Sequence, residues 1–337
     1  MRGRSEHRAR VFRHAPQYSP ILTAVNIPNQ QLPGVRLTGE VPGGGARGAG
    51  SGPRDQRPRA LIVTLYGLYA REAGGWLSVS SVIRLLAHCQ ADEPAVRSAI
   101  FRLKRRGLLE PARVDGVAGY GLSAEARAIL DEGDRRIFAR RRAAAGDGWL
   151  LAVFSVPESE RYQRHRLRSR LAWLGFGTVS AGVWIAPGHL LGETRDVLRR
   201  HGLDRYVELF RGSHAAFAPT AERVPQWWDL PRLRGLYADF LDRYGPVLAA
   251  YRRAGGPAGE PGGAAGEPGE AAAFADYLAA LTDWRRLPYA EPGLPAGVLP
   301  ADWNGFLAAD TFFGLRDLLA GPAHRFAASA LAVPRPA

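Results

Sequence analysis

One stretch of 16 residues, Asp92 to Gly107, constrains this chain more than any other. At about 100° per residue, Val96, Ala99, Ile100 and Leu103 fall within one arc of about 100°, and Arg97, Ser98, Phe101, Arg102 and Arg105 occupy the opposite arc. The pattern predicts an amphipathic helix. Asp92 is its expected N-cap, with Glu93 in the first turn and Pro94 tolerated there because the first amides lack intrahelical acceptors. Gly107 ends it. One face must pack on protein, and the other presents cations.

The flanking residues give that helix a setting. Leu61, Ile62, Leu65, Leu68 and Tyr69 recur at helical spacing from Arg59 until Gly74-Gly75. Ser78 and Ser80 are candidate caps for a second helix through Val82, Ile83, Leu85 and Leu86, ending before Ala91. After Gly107, Leu108–Arg113 and Tyr120–Leu122 read as two short strands around a turn containing Asp115-Gly116 and Gly119. Three helices followed by a hairpin is the order of a winged helix-turn-helix, whose third helix enters the major groove of DNA.

Charge agrees with that partner and is unevenly spread. The net +13 comprises 8 arginines against 3 acids over residues 1–56, 16 bases against 9 over 57–142, 11 against 8 over 143–226, and 10 against 12 over 227–337. A basic N-terminal half followed by near-neutral segments is the footprint of a nucleic-acid module placed first. Of the 45 bases only Lys104 is a lysine. Because Arg105 follows it, no Walker P-loop exists, and its Arg-rich surroundings are a poor site for a Schiff base. Dinucleotide-binding and nucleophile-elbow spacings are missing too, and the histidines form no zinc pattern. The sequence thus predicts no catalytic site, no metal and no cofactor. A single cysteine, Cys89, the lack of a long apolar run and an Arg-rich start without an apolar core point to a reducing cytoplasm rather than a membrane or secretion.

At roughly 100 to 200 residues per domain, 337 residues predict two or three cores. Residues 1–56, with Gly43-Gly44-Gly45, Gly48, Gly50 and Gly52, read as a disordered Gly/Pro/Arg-rich arm. Residues 57–142 read as the winged-helix domain with a connecting helix. From Trp149 the pattern alternates: strand Leu150–Val156, helix Glu158–Leu174, two strands flanking Ala181-Gly182, helix Leu190–Arg200 and strand Tyr206–Phe210. This β-α-β-β-α-β order over 143–226 predicts a ferredoxin-like sandwich. Residues 227–337 read as a helical C-terminal domain interrupted by a flexible insertion, 255–270, that repeats Gly-Glu-Pro-Gly. The fold class is α+β, multidomain.

Several ordered blocks in this frame resemble the PaaX family of transcriptional regulators, across about Arg57 to Phe326. They are Leu65-Tyr66-Gly67-Leu68-Tyr69 and Ala95-Val96-Arg97-Ser98-Ala99, then Gly175-Phe176-Gly177 and Trp184-Ile185-Ala186-Pro187. The most specific is Asp283-Trp284-Arg285-Arg286-Leu287-Pro288, followed by Leu299-Pro300-Ala301-Asp302-Trp303. The resemblance implies a homodimeric repressor of operator DNA, controlling phenylacetic acid catabolism in the founding case and released by an aryl-acyl-CoA such as phenylacetyl-CoA. Two departures stand out. The wing segment Val114–Gly119 has no base beyond Arg113, and Ser155 stands where the family has an acid after the strand-ending Phe154.

For DNA, the candidates are Arg97, Ser98 and Arg102 towards bases or flanking phosphates, Phe101 beside them, and Lys104, Arg105, Arg106 and Arg113 towards the backbone. Arg106 suits a helix C-cap equally well. For the effector, Arg161, His165 and Arg168 form one stripe of the middle domain's long helix, which is either an anion site or a solvated face. Arg285 and Arg286 beside Trp284 are the other choice, the aromatics being either a ligand wall or core. The competing function is a metal-dependent nuclease built on the ferredoxin-like domain. It would need hard carboxylate ligands, and Ser155 removes one.

Overall fold

The computed structural model describes residues 53–138, 141–215, 217–255 and 269–332. Residues 1–52 of the expected arm and 256–268 of the expected insertion lie outside them. The chain is a mixed α/β protein with two antiparallel sheets and a helical C-terminal region.

Helix α1 (Pro53–Leu65) begins inside the expected arm and continues as a π turn over Tyr66–Ala70, and Gly74 and Gly75, at φ 77° and 81°, end the segment. Next come β1 (Trp76–Ser78), α2 (Val79–Ala87), α3 (Glu93–Arg105), β2 (Leu109–Val114) and β3 (Val117–Leu122). Ser78 caps α2, its Oγ accepting from the Ser81 amide at 3.0 Å, whereas Ser80 lies within the helix. Val96, Ala99, Ile100 and Leu103 of α3 pack against Leu61, Ile62 and Leu65 of α1 and Leu85 and Leu86 of α2.

The first sheet has the order β1-β3-β2. Strand β1 escaped the sequence reading because three residues show no periodicity, and Gly119 was misplaced in the turn. The turn is Asp115-Gly116 alone, at φ 46° and 80°, the paired positive angles of a tight two-residue hairpin. Gly119 instead sits in the central strand, where a Cβ would lie 2.4 Å from the Leu77 carbonyl and 2.5 Å from the Trp76 ring. It is glycine so that β1 can close on β3.

Helix α4 (Ala124–Phe138), capped by the Ser123 hydroxyl on the Ala126 amide at 3.1 Å, leads to the second unit. That unit comprises β4 (Trp149–Phe154), α5 (Arg161–Trp173), β5 (Gly177–Ser180), β6 (Val183–Pro187), α6 (Leu191–Arg200) and β7 (Val207–Gly212). Its sheet has the order β5-β6-β4-β7, every neighbour antiparallel. The crossovers through α5 and α6 each join strands separated by one other strand. Helix α5 starts later than expected because Glu158–Glu160 form a single 3₁₀ turn. Leu150, Ala152, Trp184 and Ala186 of the sheet meet Leu167 and Leu171 of α5 and Val197 and Leu198 of α6 in a core of their own.

The C-terminal region holds α7 (Thr220–Trp227), α8 (Leu230–Arg253), α9 (Glu270–Trp284), α10 (Leu287–Ala290) and α11 (Gly305–Ala332). Trp284 stacks on Phe312 with centroids 4.8 Å apart and planes 9° from parallel. This helical core runs without a break into that of α1–α3: Thr282 on α9 donates to Thr64 on α1 at 2.8 Å, and Phe274 touches Tyr69 at 5.6 Å. Among the described residues the buried side chains form two cores, the first drawn mainly from the N- and C-terminal regions and the second mainly from the middle unit. Among the described residues no helix is long and apolar enough to cross a membrane.

Candidate nucleic-acid interface and junction cavity

Helix α3 offers a surface because its apolar arc is consumed by packing. Arg97, Ser98, Phe101, Lys104 and Arg105 are exposed, Phe101 at 55%, while Arg102 and Arg106 are half-buried. Backbone angles put Asp92 at the N-cap, but its side chain makes no capping bond. Glu93 turns outward instead and pairs with Arg97 at 2.7 Å. Arg102 donates to Ser98 Oγ at 3.0 Å, which holds its guanidinium along the helix surface. Arg106 is the C-cap residue, and its amide donates to the Arg102 and Leu103 carbonyls at 3.2 Å. At the hairpin tip Arg113 donates to the Gly116 carbonyl at 3.0 Å, so the hairpin's one cation also braces the turn.

Two arginines that were not read as part of this surface lie beneath it. Arg59 on α1 is buried, and its pKa is lowered first by burial and then by the charges of Arg106 and Arg102. Arg285, at the end of α9, is buried as well. Its Nη2 donates to the Ala60 carbonyl at 3.3 Å, and burial brings its pKa down to about 10, with Arg286 and Arg59 acting in the same direction. Arg285, one of the expected effector residues, thus docks α9 onto α1. Spacing carried the signal, since Arg285 follows Leu278 by seven residues and Leu281 by four, on the apolar stripe.

The remaining effector candidates are scattered. Arg161 and His165 are exposed on α5, and Arg168 lies with its Cζ 5.9 Å from the Trp184 ring centre. Arg286 pairs with Asp283 at 3.3 Å. No hydrogen bond, ion pair or ring contact joins the α5 stripe to the Trp284–Arg286 segment among the described residues. Of the six, Trp284 lines the cavity at the junction of the two units, and it does so from the core.

That cavity, about 620 Å³, lies where α4, α6 and the C-terminal helices meet. Arg136 on α4 crosses the junction. It donates to the Trp173 and Pro288 carbonyls at 3.2 Å, pairs with Glu193 at 3.4 Å, and lies 4.9 Å from the Tyr289 ring centre. Arg142 pairs with the buried Glu291 at 3.0 Å. Sequence reading counted these arginines as bulk charge, because nothing in the chain marks α4 and α10 as neighbours. His189 lines the same space with Nδ1 buried and without a hydrogen-bond partner among the described residues.

Burial, followed by Arg141, lowers the His189 pKa to about 4; burial and then Arg170 and Arg166 do the same for His201. Both are neutral when folded and take up a proton more readily when unfolded, so stability falls as pH drops from about 6.5 towards 4. Urea titrations at pH 7 and pH 5 should show a lower midpoint at pH 5, and the His189→Gln/His201→Gln variant should reduce the difference.

Three family models match in succession: PaaX-like protein over residues 57–126, PaaX protein central Cas2-like domain over 142–224, and PaaX-like protein C-terminal domain over 228–329. Among curated proteins, the Escherichia coli protein named transcriptional repressor PaaX is 26% identical over 255 residues, covering 74% of this chain and 76% of its own. Among solved structures, an uncharacterized Mycobacterium tuberculosis protein is 22% identical, covering 79% of this chain and 97% of its own with a TM-score of 0.49. Matched in order by the three parts of one family between residues 57 and 329, this chain belongs to the PaaX family of regulators.

Proposed function

We propose that the protein is a DNA-binding transcriptional repressor, with α1–α3 and the β2–β3 hairpin acting as a winged helix-turn-helix and α3 as the helix that enters the major groove. The observation that carries this reading is the outward cationic face of α3, whose opposite face is spent on the core. The curated relative's name supports the same role. The strand order β5-β6-β4-β7 with its two split crossovers supports a ferredoxin-like middle domain. The chain works in the cytoplasm as a homodimer on two-fold operators, and an aryl-acyl-CoA releases it. Arg97, Ser98, Phe101 and Arg102 face the bases and flanking phosphates, while Lys104, Arg105, Arg106 and Arg113 follow the backbone. The alternative of a metal-dependent nuclease has nothing to support it: Ser155 follows β4, and among the described residues no group of three or more His, Cys, Asp or Glu is placed to hold a metal.

The test is anisotropy with a duplex that the wild-type protein selects from a random pool, against an unselected duplex. Lys104→Ala/Arg105→Ala should weaken both to a similar degree and lower the salt slope by about 2, close to 0.9 for each phosphate that no longer meets a cation. Failure of the wild-type chain to retain any duplex from the pool would end the reading.

A further inference from the structure

We infer that the middle unit carries a second DNA-contact surface: the outer faces of α5 and α6 form a cationic layer that takes the phosphate backbone of duplex flanking the sequence met by α3. The inference rests on the repressor reading for the identity of the polyanion, and it extends that reading to a part of the chain outside the helix-turn-helix.

Charge placement leads there. Of the eleven arginines between residues 143 and 226, eight lie on α5 and α6, together with two of the eight acids of that span, Glu193 and Asp196. Helix α5 alone has five arginines, His165 and no acid. Leu167 and Leu171 of α5 and Val197 and Leu198 of α6 pack on one face of the sheet, so both helices turn their opposite sides outward. Arg161, His165, Arg195 and Arg199 are exposed, and none of them makes an ion pair among the described residues. Arg166 and Arg170 lie towards α6: Arg166 donates to the His201 carbonyl at 3.3 Å, and burial, then the charge of Arg166, brings the Arg170 pKa down to about 10.

This arrangement works against the helix that carries it. Arg161 and Arg164 sit in the first turn of α5, at the positive end of its dipole, with no acid there to offset them. Arg164 and Arg168, and likewise Arg166 and Arg170, are like charges four residues apart. Glu158 meets Arg164 at 2.9 Å and Glu132 meets Arg200 at 2.8 Å, which answers two of the eight arginines from outside the helices. A polyanion relieves the repulsion that remains.

Shape and position select duplex DNA as that polyanion. From Arg161 to Arg170 the cations extend over about 13 Å of a convex helix face, the axial length of about four phosphates on one strand. Tyr162, 59% exposed and with Arg166 Cζ 5.8 Å from its ring centre, adds a hydroxyl donor for the backbone. Helix α4 begins at Ala124, two residues after β3 ends at Leu122, and Glu132, about 12 Å along it, holds Arg200. The layer therefore starts within about four base pairs of the hairpin stem. The hairpin brings Arg113 as its one cation, so α5 and α6 supply backbone charge that it lacks.

The test uses the full chain and two duplexes built on the sequence that the wild type selects from a random pool. One ends within a few base pairs of that sequence, and the other is extended on each side by about 15 base pairs of unrelated sequence, some 50 Å. Wild type should bind the extended duplex more tightly. Arg161→Ala/Arg195→Ala/Arg199→Ala should weaken binding to the extended duplex by about ten- to thirtyfold and lower its salt slope by about 2 to 3, near 0.9 for each lost phosphate contact. On the short duplex the same variant should stay within about twofold of wild type, which also shows that it is folded. Lysine at the three positions should restore the extended duplex, because a phosphate contact needs the charge rather than the planar fork. The inference is overturned if wild type binds both duplexes equally, if the alanine variant loses equally on both or on neither, or if lysine restores nothing. Each of those results leaves the repressor reading standing, because wild type still retains the short duplex; loss of both duplexes by wild type would end that reading and this inference together.

Discussion

Glu291→Ala should destabilise the protein by about 3–5 kcal/mol, the size expected when one member of a buried ion pair is deleted and its partner is left behind. Glu291 is 4% exposed and collects donors from three segments. Arg142, which precedes β4, reaches it with both Nη atoms at 3.0 and 3.4 Å, Tyr237 of α8 donates at 3.2 Å, and the Leu294 amide closes the loop after α10. Tyr237 is fully enclosed, and burial, then Glu291, drives its hydroxyl well above the ordinary tyrosine range, so that it remains a donor at any working pH. Alanine would strand an arginine and a phenol at the junction of the two cores. Glu291→Gln keeps the shape and an acceptor while removing the charge, and should recover part of the loss. Urea unfolding followed by Trp fluorescence measures both, and a cost below about 1 kcal/mol for alanine would show that water replaces the carboxylate and that the junction is not held here.

What the sequence disclosed and what it withheld divide along a physical line. Signals local to one element were readable: the two faces of α3, the Gly74-Gly75 stop, the Ser78 cap and the Asp115-Gly116 turn each depend on neighbours within a few residues. The alternating order of the middle unit was readable for the same reason, because a strand period of two and a helix period of 3.6 are both short-range. Features that depend on distant chain meeting distant chain were not. The shared core of α1 and α9 joins residues more than 200 positions apart, through Thr64 and Thr282. The junction cavity needs α4, α6 and α10 in register, which no window of sequence contains. Arg285 falls between these cases. Its charge suggested a ligand site, while its seven-residue spacing from Leu278 places it on the apolar stripe, and a guanidinium can be buried there if its stem packs and its nitrogens find a carbonyl such as that of Ala60.

The burial of Arg59 bears directly on the proposed DNA-binding face, since a cation inside the protein raises the potential at the surface above it. Arg102→Ala should therefore weaken binding to the selected duplex by about ten- to a hundredfold, corresponding to the roughly 1–3 kcal/mol of a well-placed arginine on a base edge. Binding to an unselected duplex should fall only about threefold, the share of one screened charge. Arg102 fits this role better than Arg97. Its guanidinium is already oriented by Ser98 Oγ at 3.0 Å, so little side-chain entropy is lost on contact, whereas Arg97 must exchange its 2.7 Å partner Glu93 for DNA. Lysine separates the two kinds of contact. Arg102→Lys keeps the charge but not the planar fork, and should restore binding to the unselected duplex while leaving the selected duplex weakened. Equal losses on both duplexes, rescued equally by lysine, would reassign Arg102 to the phosphate backbone and leave base reading to Arg97 and Ser98. The β2–β3 hairpin makes this dependence sharper. Its only cation, Arg113, already holds the Gly116 carbonyl at 3.0 Å, so the hairpin supplies little of the charge that α3 would otherwise share.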